Sequence, residues 1–181
     1  MAPHESWDEQ LFALFDDLEG QAAARFELER DAELVDRSRS VYHRVSLDSR
    51  LVASLGEQLT LEVAGVGRID GELQRVGEGW GLMSGHAQDW IVRTAAVRVV
   101  QGASERSVPE VAWSPLHKLG LGSALRRLAE SQARCIVHLV EGTQHEALVR
   151  RVGSDFVEVL TPSQARLLVA FESISAVQSR D

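Results

Sequence analysis

The chain has 181 residues, 44% apolar and 25% charged, which allows one ordinary domain or two small ones and excludes a collagen-like, disulfide-dense or wholly disordered polypeptide. Acidic side chains outnumber basic ones 27 to 19, and a formal charge of -8 disfavours nucleic acid as a default partner. The single cysteine, Cys135, has no internal disulfide partner and points to a reducing compartment.

The acidic start lacks the basic region of a secretory signal, and no run approaches the roughly 18 apolar residues of a membrane helix. A cytoplasmic location without membrane contact is therefore expected. Lys118 is the only lysine, the other 18 basic residues are arginine, and asparagine is absent. Lysine and asparagine have AT-rich codons, so the bias points to a GC-rich bacterial genome. An arginine excess of that origin is no sign of selection for phosphate binding.

Residues 1–50 hold 12 acids and 6 arginines, net -6, whereas residues 105–181 are neutral. The N-terminal segment, 1–45, reads as an acidic amphipathic helix. Ser6-Trp7-Asp8-Glu9 has capping-box spacing, and Trp7, Leu11, Phe15, Leu18, Ala22 and Phe26 recur every three or four residues on one helical face. Two readings fit: a helix covering part of the core, or a helix that docks a partner through Trp7, Leu11, Phe15 and Leu18. Gly20 interrupts the pattern at a cost of about 1 kcal/mol.

From residue 46 the period changes. Short alternating or apolar runs cover Gln58 to Val63, Gly71 to Val76, Trp90 to Val100, Val137 to Leu139, Ala147 to Val152, Phe156 to Leu160 and Leu167 to Val169. Glycines and the Thr161-Pro162-Ser163 stretch punctuate them, as in a small barrel or sandwich. The pattern occurs twice. Laying Val76-Gly77 on Val152-Gly153 aligns Glu72 to Gly77 with Ala147 to Gly153 and puts Trp80 beside Phe156. Each copy opens with a short expected helix: Leu47 to Leu55, with candidate caps Ser46 and Asp48, and Ala124 to Ser131, capped by Ser123. The expected organisation is mainly β with α. A first barrel spans 46–101, a second 121–181, and 102–120 is a linker carrying Pro109, Trp113 and Pro115.

Ala124-Leu-Arg-Arg127, Cys135 to Gly142, Val152 to Leu160 and Phe171 to Val177 together resemble the Sm-like family, and most of all its Hfq-like RNA-chaperone branch. The first copy is similar to the general Sm pattern through Gly67, Gly71, Leu73 and Val76. The likeness covers about 110 of the 181 residues. It implies tandem Sm-like, SH3-like barrels of five bent strands, each preceded by a helix. It also implies an RNA pocket lined by a lysine-histidine pair before the last strand. Those positions carry Phe171 and Glu172 in one copy and Thr94 and Ala95 in the other. The family's base-gripping aspartate falls on Gly77 and Gly153. The pore site for RNA is therefore expected to be lost. What survives is a candidate nucleic-acid rim of Arg126, Arg127, Arg134, Arg150 and Arg151. A solvated helix face, with Arg126 pairing Glu130 at i,i+4, accounts for the same residues.

No other chemistry emerges. His4, His43, His86, His117, His138 and His145 form no metal-type pair. Cys135 and His138 fall on opposite faces of one expected strand. No GxSxG elbow occurs, and Gly77 to Gly81 and Gly120 to Gly122 lack the context of a phosphate loop. Trp80 and Trp90 have the chemistry to stack on a base or to fill a core. These readings predict a non-catalytic assembly or adaptor protein with a protein partner and no cofactor. An RNA- or DNA-associated regulator is the alternative. A monomer or homodimer is favoured over a ring, because acidic helices crowded into a ring would repel one another.

Overall fold

A computed structural model of the chain describes residues 42–180. The chain divides into two compact units between Arg44 and Val45, and every element below belongs to the second. The helix expected before residue 45, with Trp7, Leu11, Phe15 and Leu18, lies outside the described residues.

The second unit is mainly β, with ten strands and two helices. Helix α1 (Leu47–Val52) is followed by β1 (Gln58–Val63), β2 (Gly67–Gly77), β3 (Trp80–Ser84), β4 (Asp89–Arg93) and β5 (Val97–Gln101). Helix α2 (Leu121–Ser131) then leads into β6 (Arg134–Leu139), β7 (Gln144–Val152), β8 (Phe156–Leu160), β9 (Arg166–Ala170) and β10 (Ile174–Ser179). Ser46 caps α1 as expected, its hydroxyl accepting from the Ser49 N–H at 3.1 Å. The second helix starts three residues earlier than the sequence suggested, with Gly120 at the cap and Ser123 inside. Burial of Leu121 in the core draws the first turn back.

All strand pairs are antiparallel, in the order β5-β1-β2-β3-β4-β10-β6-β7-β8-β9. The first five strands and the last five thus follow the same internal order. The likeness extends to irregularities. A bulge falls between Leu73 and Arg75 on β2, and another between Val149 and Arg151 on β7. A 3-10 turn precedes the last strand of each set, Thr94–Ala96 and Phe171–Ser173. The first of these turns splits the Trp90 to Val100 run, which the alternation had suggested as one strand. Beyond it, β5 leaves β4 and crosses to pair with β1.

Where the sequence suggested two separate barrels, the hydrogen-bonded strands form one continuous, unclosed sheet. Strand β4 pairs with β10 through Val92–Ala176, Ile91–Val177 and Trp90–Gln178. An unpaired edge leaves backbone donors and acceptors unsatisfied, and this joint removes two such edges. Only β5 and β9 remain at the ends of the sheet. Arg93 reinforces the joint, donating from Nε to the Ile174 carbonyl at 2.6 Å and from Nη2 to the Glu172 carbonyl at 2.7 Å.

Two apolar cores result. One gathers Leu51, Leu59, Leu61, Ile69, Leu73, Met83, Val92 and Trp113, and includes Ala176 from β10. The other gathers Leu121, Leu125, Val137, Val149, Val157, Ile174 and Val177, and includes Trp80 and Ile91 from β3 and β4. Neighbouring residues on a strand face opposite ways. Ile91 and Val177 serve one core while Val92 and Ala176 serve the other, so the cores lie on opposite faces of the sheet at the joint.

Candidate functional site

The aligned aromatics occupy matching places but different surroundings. Trp80 opens β3 and Phe156 opens β8, each three residues after a glycine. A Cβ on Gly153 would lie 2.5–2.9 Å from the Phe156 ring, and one on Gly77 would collide with the Trp80 indole and the Leu119 carbonyl. Both glycines are therefore required by close packing of the aromatic. Trp80 is 9% exposed and Phe156 is 37% exposed. Trp80 belongs to the second core, which Phe156 does not, and the linker adds to its burial: Trp80 Nε1 donates to the Leu119 carbonyl at 2.8 Å, and the Glu78 N–H donates to the same oxygen at 3.0 Å.

The linker is pinned at several points. Trp113 is buried in the first core, with Nε1 donating to the Val108 carbonyl at 2.9 Å. His117 Nδ1 lies 2.8 Å from the Val76 carbonyl, so that nitrogen carries the proton. The 3-10 turn Pro115–Lys118 presents Leu116 to solvent at 64% exposure, and Leu119 follows at 44%.

Between linker, sheet and α2 runs a groove of about 760 Å³. Its floor is the joint itself: Trp80 and Leu82 of β3, Ile91 of β4, Val177 of β10 and Cys135 of β6. Leu116 and Leu119 form one wall, and Ala124 and Leu128 of α2 another. On α2 the residues Leu121, Ala124, Leu125 and Leu128 turn inward at helical spacing, which leaves Arg126, Arg127 and Glu130 on the outer side.

Five arginines line this groove: Arg75, Arg126, Arg127, Arg134 and Arg180. Asp89 and Glu130 are its carboxylates. Arg134 and Arg180 share Glu146, the former at 3.8 Å and the latter in closer contact. Among the described residues no carboxylate pairs with Arg75, Arg126 or Arg127, and the expected Arg126–Glu130 pair does not form.

Three of the five expected rim arginines are thus together. Arg150 and Arg151 are exposed on β7, outside the groove, where Arg151 stands opposite Glu158 in the register. Arg75, Arg180, Leu116 and Leu119 were not singled out from sequence. The bulge after Leu73 on β2 and the fold of the linker bring in the first, third and fourth, and neither has a periodic signature.

Cys135 and His138 are both taken up in packing and hydrogen bonds. Burial pushes the Cys135 thiol up to about 11, and its Sγ lies 3.5 Å from the Ala147 carbonyl, so the nucleophilic thiolate is suppressed. His138 is buried on the opposite face of β6. Its Nε2 lies 2.8 Å from Gln178 Oε1 and its ring is 5.4 Å from that of Trp90. Trp80 and Trp90 therefore pack at the joint. Among the described residues no group of three or more His, Cys, Asp or Glu could hold a metal ion, and no helix is long and apolar enough to cross a membrane. No protein-family model and no curated protein matches the chain.

Proposed function

We propose that this chain is a non-catalytic adaptor of the bacterial cytoplasm, two Sm-like barrels fused through β4 and β10, whose joint groove docks a protein partner. The groove carries the reading. It is lipped by solvent-facing Leu116 and Leu119 beside half-buried Leu82 and Leu128, and apolar surface left facing water in a concave site is a mark of an interaction surface. The twofold recurrence of the strand order and of the bulges supports the barrel reading. A photo-crosslinking residue placed at Leu116 tests the docking role in cells of the source organism. A discrete crosslinked protein, lost when Leu119→Asp is added, is the expected result, and crosslinks to solvent alone would refute it. Light scattering on the full chain should report a monomer or homodimer.

The arginine-lined groove favours a second reading, an RNA- or DNA-associated regulator. A filter-binding titration over a salt series separates the two. Contacts from Arg75, Arg126 and Arg127 to single-stranded RNA would give a log-log slope of roughly -2. A protein adaptor shows no such affinity to lose.

A further inference from the structure

We propose that the occupant of the groove is an amphipathic helix of a partner protein, apolar on the side laid into the groove and acidic along its flanks. The inference rests on the reading of the groove as a protein-docking site and adds the chemistry of what docks.

Backbone hydrogen bonding selects a helix. Where they line the groove, β3, β4, β6 and β10 lie between two paired neighbours. Strand β2 lines it through Gln74, Arg75 and Val76, which lie beyond the β1 pairing, and there the linker takes the place of a strand, with His117 on the Val76 carbonyl and the Leu119 carbonyl on the Glu78 N–H. The two free edges belong to β5 and β9, and neither strand lines it. An extended peptide entering the groove would find only the short stretch 74–76, already flanked by the linker, and would bury most of its own N–H and C=O groups unpaired. A helix satisfies those groups internally and presents only side chains. Half-buried Leu82 and Leu128 supply apolar surface for such a helix, and Leu116 and Leu119 extend it to the lip.

Charge selects the flanks. Arg126 and Arg127 project from α2 and Arg75 from β2, with no carboxylate partner among the described residues. Arg134 and Arg180 are already engaged by Glu146. Glutamates or aspartates flanking an apolar stripe would complement the unpaired cations, while a basic helix would be repelled. Single-stranded nucleic acid would meet the arginines but no exposed indole to stack on, because Trp80 is buried with its N–H bound to Leu119, and the one other ring in the lining, His117, is held by the Val76 carbonyl and against Trp113.

The test uses the full chain and two fluorescent synthetic helices of about four turns. Both carry leucines along one face, one with glutamate flanks and one with lysine flanks. By fluorescence anisotropy the glutamate helix should bind, and the lysine helix should bind at least about tenfold more weakly. Arg126→Ala/Arg127→Ala and, separately, Leu116→Ala/Leu119→Ala should each weaken the glutamate helix by about tenfold, with circular dichroism unchanged. Equal binding of the two helices, no binding of either, or indifference to the arginine pair would overturn the proposal. If the helices fail while the Leu116 crosslink to a partner persists, the helix is wrong and the docking site stands. If both fail, the docking reading falls with it. An oligo-uridine that binds more tightly than the glutamate helix and ignores Leu116→Ala/Leu119→Ala would assign the arginines to RNA instead.

Discussion

Trp80 and Phe156 hold equivalent places in the two sets of strands, so truncating each compares a ring held by the second core and the linker with a more exposed one. Removing a fully buried aromatic to alanine costs about 3–5 kcal/mol. Trp80 is 9% exposed, so Trp80→Ala should fall in that range; Phe156 is 37% exposed, and scaling by buried share puts Phe156→Ala near 2–3 kcal/mol. Trp80→Phe isolates the indole N–H. The Leu119 carbonyl would still accept from Glu78 at 3.0 Å, so no acceptor is orphaned. The loss is then one neutral hydrogen bond and a little ring area, roughly 1–2 kcal/mol. Urea unfolding followed by circular dichroism reads all three, with the slopes checked for two-state behaviour. Thermal midpoints should fall by roughly 10 °C for Trp80→Ala and about half that for Phe156→Ala. Equal costs for the two alanine variants would refute the unequal burial. A Trp80→Phe cost equal to that of Trp80→Ala would refute the small role given to the hydrogen bond.

Arg93→Met should destabilise by about 2 kcal/mol in urea, since two charge-assisted bonds to the Glu172 and Ile174 carbonyls are lost from a half-exposed position. Cys135 should resist a thiol reagent in native protein and react only on unfolding. Its folded value of about 11 exceeds the unfolded one, so its contribution to stability is complete below the ordinary thiol value and is lost as pH rises toward 11. Hydrogen bonds from Arg68 and Thr60 hold the Asp70 carboxyl below the usual carboxylate range. Its contribution is present above the unfolded value and lost as pH falls through the folded one, and carbon-detected titration should show Arg68→Ala moving it back up.

Much of the β organisation was readable because alternation, glycine turns and an internal match report local structure. The bounds of β1 and β8, the Ser46 cap and the pairing of Trp80 with Phe156 followed from such signals. The single continuous sheet did not, because the β4–β10 register is set by contacts between residues some eighty positions apart, such as Val92 and Ala176. The site was legible in part. Arg126 and Arg127 stood out as a pair on an amphipathic helix. Arg75 reaches the groove after a β-bulge, Leu116 through a 3-10 turn, and Arg180 just beyond a strand end, and none of these carries a period. Arg150 and Arg151 were grouped with the rim by charge alone, and β7 takes them elsewhere.

The groove is a property of the joint. Its floor combines Trp80, Leu82 and Ile91 from the first set of strands with Cys135 and Val177 from the second, and its walls combine the linker with α2. This follows from the crossing of the two cores at β4 and β10. The face of β3 and β4 turned away from the first core is completed by the second, and the linker returns to cover what α2 leaves open. Outside the groove lining, the turns of the two sets also meet: a Cβ on Gly65, at φ +70, would lie 2.8 Å from the Gly142 nitrogen and 2.9 Å from the Val140 carbonyl, so the β1–β2 turn rests directly on the β6–β7 turn. Neither set of strands alone could present this surface. Changes that open the β4–β10 pairing should therefore abolish the proposed docking even where both cores survive, whereas changes confined to the outer strands β5 and β9 should leave it intact.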